Sequence, residues 1–344
     1  MEAAHSFESV TRVEVAPLVK RMASGKSVKE LRCAMVEKIF TPLNIGALEL
    51  EHRIVIDWGR ALHRPLKLAT GKARSAALQL HPAGLVIYDV NGLVQSPTNG
   101  CQGSDLGHLE AASCLALAAA KRARQPVLAR LGGEVFSQAL AKVDRISASG
   151  RKATRHVIQI HVDAARRALL LGFDGIKLDG TFLGSTKLPD TPHAGTKVEF
   201  GKQRDLRCVD VVLELIDSLT RGLGRDRVGV RLAPFCPDAL RGFSGPFYKD
   251  LLRALHELEV AYVHVVGSDR DENSFGQILP LPLAADALRK SYPGIVIATC
   301  RPNLPYAIEL VESRWADAIC FLGETLDAKA MVGIARAWQD GKSV

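Results

Sequence analysis

The stretch KATRHVIQIHVDAARRALLLGFDGIKLDG, residues 152–180, decides the fold. It reads as a helix over 152–171 stopped at Gly172, since glycine most readily takes the left-handed turn that ends a helix. FDGIKLD at 173–179 follows at once. It has the length of a strand and lacks clean alternation with polar residues, as a strand buried on both faces does. A helix running straight into a buried strand is half of a repeating β/α unit.

The same unit recurs outward in both directions. Strand-like runs stand at RIVID (53–57), GLVIYDV (84–90) and PVLARLG (126–132) before it. RVGVRLA (227–233), AYVHVVG (261–267), GIVIAT (294–299) and ADAICFL (316–322) come after it. Helical candidates lie between them at 104–124, 205–221, 246–258, 281–291, 303–313 and 326–339. Strand alternating with helix demands a parallel sheet, and eight such units close into a (β/α)₈ TIM barrel of the α/β class. An open doubly wound sheet is the alternative. Eight runs, none followed by a glycine-rich phosphate turn, favour the barrel. GLGRDRVG at 222–229 has spaced glycines but precedes a strand, so it reads as a helix-to-strand loop and not as a dinucleotide fingerprint.

The 344 residues, 47% hydrophobic and 24% charged, suit one barrel with a large core. Residues 1–38 read as an N-terminal extension and 39–344 as the barrel domain. No apolar run reaches the roughly 18 residues that span a bilayer. MEAAHSFESVTRVEV lacks the order of a secretory signal, so a cytoplasmic protein with no membrane partner is expected. Seven cysteines (33, 101, 114, 208, 236, 300 and 320) form no C-x-x-C pair, which argues against a disulfide framework or a thiolate zinc site. His156 and His161, five apart, do not share a helix face as metal ligands do, and His264 reads as a satisfied core histidine. No metal is expected.

The net charge of +8 is interspersed with acids. Its densest stretch, Lys20, Arg21, Lys26, Lys29, Arg32 and Lys38, carries no interleaved aromatics, so no nucleic acid partner is expected. A small-molecule substrate is the expected partner, and a homo-oligomer is compatible with the sequence. The long stretch 180–204 after the fourth strand is where such folds place their sites.

IFTPLNIGALELEHRIVI (39–56), AGLVIYDVNGLVQSP (83–97), AARRALLLGFDGIKLDG (164–180) and GRDRVGVRLAP (224–234) fall in the order and separation of four motifs of one family. Over residues 39–340 the chain resembles the old yellow enzymes, FMN-dependent ene-reductases and related dehydrogenases. The resemblance implies a flavin at the barrel mouth, yet most positions that would hold it differ. After the first strand the family's flavin-packing Ala-Pro-(Met/Leu)-Thr is matched by Asp57, Trp58, Gly59 and Arg60. Arg130 stands where a glutamine reads the pyrimidine edge. The substrate-binding pair and proton-donating tyrosine fall on Asp179, Phe182 and Gly184. The phosphate-holding glycines fall on Thr299, Cys300 and Arg301, and the final Gly-Arg on Leu322-Gly323 or Gly323-Glu324. Arg231, where the family places an arginine near the flavin's N1 and O2, persists.

A phosphate needs converging amide donors or cations and no nearby carboxylate. Glu324 adds repulsion, Trp58 takes ring space, and Arg130 replaces a neutral amide. The expectation is therefore no cofactor. FMN held by Arg231, Arg130, Arg301 and Gly323 is the alternative.

The polar set Asp57, Arg60, Asp89, Arg130, Lys177, Asp179 and Arg231 then has two readings. One is an ion-pair plug. The other is a flavin-independent, non-redox site for proton transfer, isomerisation or cyclisation of a small, anionic or natural-product-like substrate. Arg231 would stabilise negative charge and Asp179 or Asp89 would shuttle a proton. Trp58, Arg60, Arg130, Lys177 and Phe182 would bind the substrate. An FMN-dependent NAD(P)H oxidoreductase and a non-catalytic binding protein are the alternatives. Whether Lys177 faces the barrel interior or the helix layer is left open by the sequence.

Overall fold

The structure is a computed structural model and describes residues 38–58, 83–90, 117–118, 120–121, 124–133, 136, 139, 148–180, 204–233, 245–266, 288–300, 303–323, 326 and 333–334. The segment 1–37, the long stretch after residue 180, and Arg60, Phe182, Arg301 and Glu324 lie outside these.

Ten strands are formed among the described residues. β1 (Leu43–Ile45) and β2 (Leu48–Leu50) make a short antiparallel hairpin. The other eight are β3 (Ile54–Asp57), β4 (Leu85–Asp89), β5 (Val127–Gly132), β6 (Gly175–Asp179), β7 (Val228–Leu232), β8 (Tyr262–Val265), β9 (Val296–Thr299) and β10 (Ala318–Leu322). These eight close into a barrel in sequence order, every pairing parallel, with β10 returning to β3. The expected (β/α)₈ barrel is the fold, and the strands coincide with the eight apolar runs.

Helices α1 (Ala148–Leu171), α2 (Arg204–Leu223), α3 (Gly245–Glu257) and α4 (Leu304–Glu312) belong to the outer layer. In α1 the buried side chains Val157, Ile158, Val162, Ala165 and Ala168 recur at three- and four-residue steps, which puts one apolar stripe against the sheet. Gly172, at φ 106, ends it as the sequence predicts. The helix begins four residues before the expected start.

An acid placed just ahead of a strand fixes its neighbour twice. The Asp174 carboxylate accepts from the Val127 amide at the start of β5, and Asp317 accepts from Val296 at the start of β9, both at 2.8 Å. Each thereby satisfies an amide that would otherwise end its strand without a partner.

Strand alternation separates two apolar clusters. Ile54, Ile56, Val86, Ile176, Val230, Val263 and Phe321 join the helices. Val55, Leu85, Ile87, Leu128, Tyr262, Ile297, Ala318 and Cys320 fill the barrel interior, closed at one end by Ile45 and Leu50 of the hairpin. The hairpin turns at Gly46, whose φ of 57 and close approach to the Asp226 carbonyl leave no room for a side chain. Among the described residues no helix is long and apolar enough to cross a membrane.

Candidate active site

One pleat step above the apolar interior, toward the C-terminal ends of the strands, the interior side chains become charged. Asp57 ends β3, Asp89 ends β4 and Asp179 ends β6, while Arg130, Lys177 and Arg231 sit within the last three residues of β5, β6 and β7. Asp57 and Val55, like Arg130 and Leu128, lie two residues apart and so share the inward face. The same register places Lys177 inward, opposite Arg130 on β5 and Gly229 on β7. The question left open by the sequence is thus answered: Lys177 belongs to the barrel interior.

These six residues are all buried, none exposing more than 8% of its surface, and they form one connected network. The Lys177 ammonium donates to Asp57 Oδ2. Arg130 reaches Asp57 through Nη1 at 3.3 and 3.4 Å and Asp89 through Nη2 at 2.9 Å. Arg231 Nη1 donates to Asp179 Oδ2 at 3.0 Å, and the same oxygen lies 4.0 Å from Arg130 Nε. Three carboxylates thus face three cations. Burying charge is costly unless every group is paired, so each member dictates where its neighbours must stand.

His264 on β8 and Thr299 on β9 extend the network. Lys177 Nζ lies 3.2 Å from His264 Nδ1, and Nε2 lies 2.7 Å from Thr299 Oγ1. An ammonium can only donate, so Nδ1 accepts and Nε2 carries the proton that Thr299 receives. Sequence reading treated His264 as a satisfied core residue, and both ring nitrogens do have partners; it missed the polar layer around the ring. The available signal was the two-residue step from Tyr262, whose ring fills the interior beside Gly229.

Burial alone would raise the Asp57 carboxyl, but Lys177, Arg130 and Arg231 outweigh it and hold this group well below the usual carboxylate range. Burial lowers the Lys177 ammonium, Asp57 opposing and the two arginines adding to the effect. Burial, with Lys177 and Arg231 nearby, keeps His264 far below its ordinary range and therefore neutral. Asp57, His264 and Cys320 gather within 4.8 Å of one another, a spacing that suits a metal ion. Here the Lys177 ammonium already bonds the carboxylate and the imidazole, and burial pushes the Cys320 thiol up to about 12, which keeps it protonated.

Of the predicted site residues, Asp89, Arg130, Lys177, Asp179 and Arg231 are brought together with Asp57, while Arg60, Phe182 and Arg301 lie outside the described residues. Trp58, the residue after β3, packs against the helix-side cluster and lies over Gly323, where an added Cβ would meet its ring at 2.5 Å. Gly323 is thus a close-approach position for an indole.

The cations at the C-terminal ends of the strands match the acceptor chemistry of a flavin ring. Its pyrimidine edge presents electron-rich N1 and O2, which want N–H donors or positive charge. Arg231 and Arg130 bring guanidiniums to the mouth, and Arg130 Nε has no hydrogen-bond partner among the described residues. A guanidinium in place of an amide is a donor for that edge, not an obstacle.

No family model matches the chain. It is 28% identical over 139 residues to 12-oxophytodienoate reductase 2 of Arabidopsis thaliana, covering 39% of this chain and 36% of that protein. It is 26% identical over 173 residues to a probable flavin mononucleotide-dependent alkene reductase of Leishmania infantum, covering 48% and 44%. The chain thus spans well under half the length of these two relatives. Among solved structures it resembles the old yellow enzyme of Trypanosoma cruzi, with a TM-score of 0.60 at 18% identity over 89% of this chain and 93% of that one, a likeness of fold. The expectation of no cofactor is overturned by these relatives, which point to FMN. That expectation counted Arg130 as a loss, although a guanidinium keeps the N–H donors of the amide it replaces.

Proposed function

Starting from a chain that is a divergent relative of the old yellow enzymes, we propose that it is an FMN-dependent oxidoreductase of the ene-reductase type, acting on a small molecule with an activated double bond. The observation that carries this reading is the guanidinium–carboxylate–guanidinium row of Arg130, Asp179 and Arg231 across β5, β6 and β7 at the barrel mouth.

Arg231 and Arg130 would hold the pyrimidine edge of FMN, their fixed positive charge favouring electron density there. Bound FMN supplies hydride transfer; the protein supplies orientation and electrostatics. Asp179 accepts from Arg231 and locks its side chain, and Asp89 does the same for Arg130, so both carboxylates act as positioning groups. Asp57 and Lys177 brace Arg130 from below. Substrate contacts and the proton donor are assigned to residues outside the described set, Arg60 and Phe182 among them.

The test is the visible absorbance of the purified protein before and after FMN is added, followed by NAD(P)H oxidation with a conjugated enone as acceptor. Flavin absorbance that survives gel filtration and is lost in Arg231→Ala is expected. A folded wild-type protein that stays colourless in excess FMN would falsify the proposal.

A further inference from the structure

At the end of the barrel opposite the mouth, where β3, β9 and β10 begin, lies a cavity of about 390 Å³. That volume lies within the range of small-ligand sites. Lys38, Arg53, Arg289 and Arg314 line it, against one lining acid, Asp317. Glu312 stands 3.9 Å from Lys38. Counting both acids against the four cations leaves two positive charges at one concave place.

Two of these cations are held rigidly yet keep donors to offer. Arg53 donates to Thr41 Oγ1 at 3.0 Å, to the Asp317 carbonyl at 3.1 Å and to the Pro42 carbonyl at 3.4 Å. Arg289 donates to the Arg314 and Gly294 carbonyls, both at 3.0 Å, and to Asp317 Oδ2 at 2.8 Å. A guanidinium carries five N–H groups, so each retains two beyond these bonds. Lys38 covers the Val311 carbonyl at 2.9 Å and that of Glu312 at 3.4 Å, which screens the negative end of α4 from the cavity.

Arg314 is the exception. It occupies the residue after the C-cap Ser313, with φ at 61, and the amides of Arg314 and Trp315 bond back to the Val311 and Leu310 carbonyls. That is the turn where glycine is strongly preferred, because a Cβ is strained there. Its guanidinium is exposed and has no partner among the described residues. A strained residue whose side chain does nothing for the fold is a pointer to a ligand.

We propose that this basic cavity is a second binding site, remote from the mouth, for a phosphate-bearing anion, with Arg314 as its free cation and Arg53 and Arg289 as its fixed ones. Preset donors lower the ordering cost of binding, and guanidiniums match phosphate oxygens in pairs.

The test is calorimetric titration of the full chain with pyrophosphate and with ADP, against sodium chloride at equal ionic strength. Binding above the salt control is expected for both, and tighter binding of ADP would identify a nucleotide as the source of the phosphate. Arg314→Gly should raise Tm by relieving the left-handed turn while weakening binding about tenfold, the worth of roughly one charge-assisted contact. No binding above the salt control overturns the proposal. So does undiminished affinity in an Arg314→Gly protein whose Tm shows that it is folded.

Discussion

The two halves of the barrel interior are built from the same strands and solve opposite problems. Below, Val55, Leu85, Ile87, Leu128 and Ile297 fill the space with shape alone. One pleat step above, Asp57, Asp89, Arg130, Lys177, Asp179 and Arg231 fill it with charge. An apolar layer tolerates exchange of like for like, because dispersion and burial depend on volume. A charged layer tolerates almost none, since removing one member leaves a buried charge short of compensation. The difference teaches where the molecule is adaptable and where each side chain is fixed by its neighbours.

The sharpest way to break that contrast is Lys177→Met. It keeps the length of the side chain and takes one of its cations from the fully buried Asp57 carboxylate, leaving Arg130 to carry the pairing, for a loss of about 3 kcal/mol in urea unfolding. Adding Asp57→Asn in the same chain should recover most of it, a coupling that a merely crowded site would not show. Full loss in the double variant would mean that volume, not charge, rules this layer.

Acid sharpens the contrast next. His264 in the charged layer and His161 on α1 are both held neutral by burial, His161 falling from its ordinary 6.5 to about 4. A group whose folded pKa lies below its unfolded one contributes stability present above the unfolded value and lost as pH falls through the folded one. Stability should therefore drop between pH 6.5 and pH 4, His161 accounting for about 3 kcal/mol of it. His161→Gln should remove that share and leave the part belonging to His264. An unchanged slope in His161→Gln would show that the His161 ring is not held neutral.

How much of this was legible in the sequence depends on what each residue had to reveal. The strands were readable because Ile54–Ile56, Leu85–Ile87 and Ala318–Leu322 are continuous apolar stretches that only a doubly buried strand explains. The face of Lys177 was not, because both faces of such a strand are buried and alternation carries no sign; only the register across β5 and β7 decides it. The hairpin of β1 and β2 escaped because three-residue strands leave almost no period. The cofactor reading summed single-position losses and gave no weight to the donor character of the incoming guanidinium at 130.

A glycine tests the apolar layer from the opposite side. Gly229 faces Tyr262 so closely that a Cβ would stand 2.2 Å from its ring. Gly229→Ala should cost about 1–3 kcal/mol by overpacking, and Tyr262→Leu in the same chain should return part of that. No cost would mean that the ring has room to move, and that the lower layer is looser than its burial suggests.

The smallest effect separates the layers most cleanly. Ile297 lies wholly within the lower cluster, at 0% exposure, and pairs with His264 on β8 and Ala318 on β10 in the strand register. Ile297→Val removes one methylene, for which about 1 kcal/mol is expected in urea unfolding. Uptake of FMN should not change, because no charge, donor or strand position at the mouth depends on that methylene. If shape below and charge above are independent devices, stability moves and flavin affinity stays. Should affinity fall in step with stability, the two layers form one mechanical unit, and the mouth is held as much by the packing beneath it as by its own ion pairs.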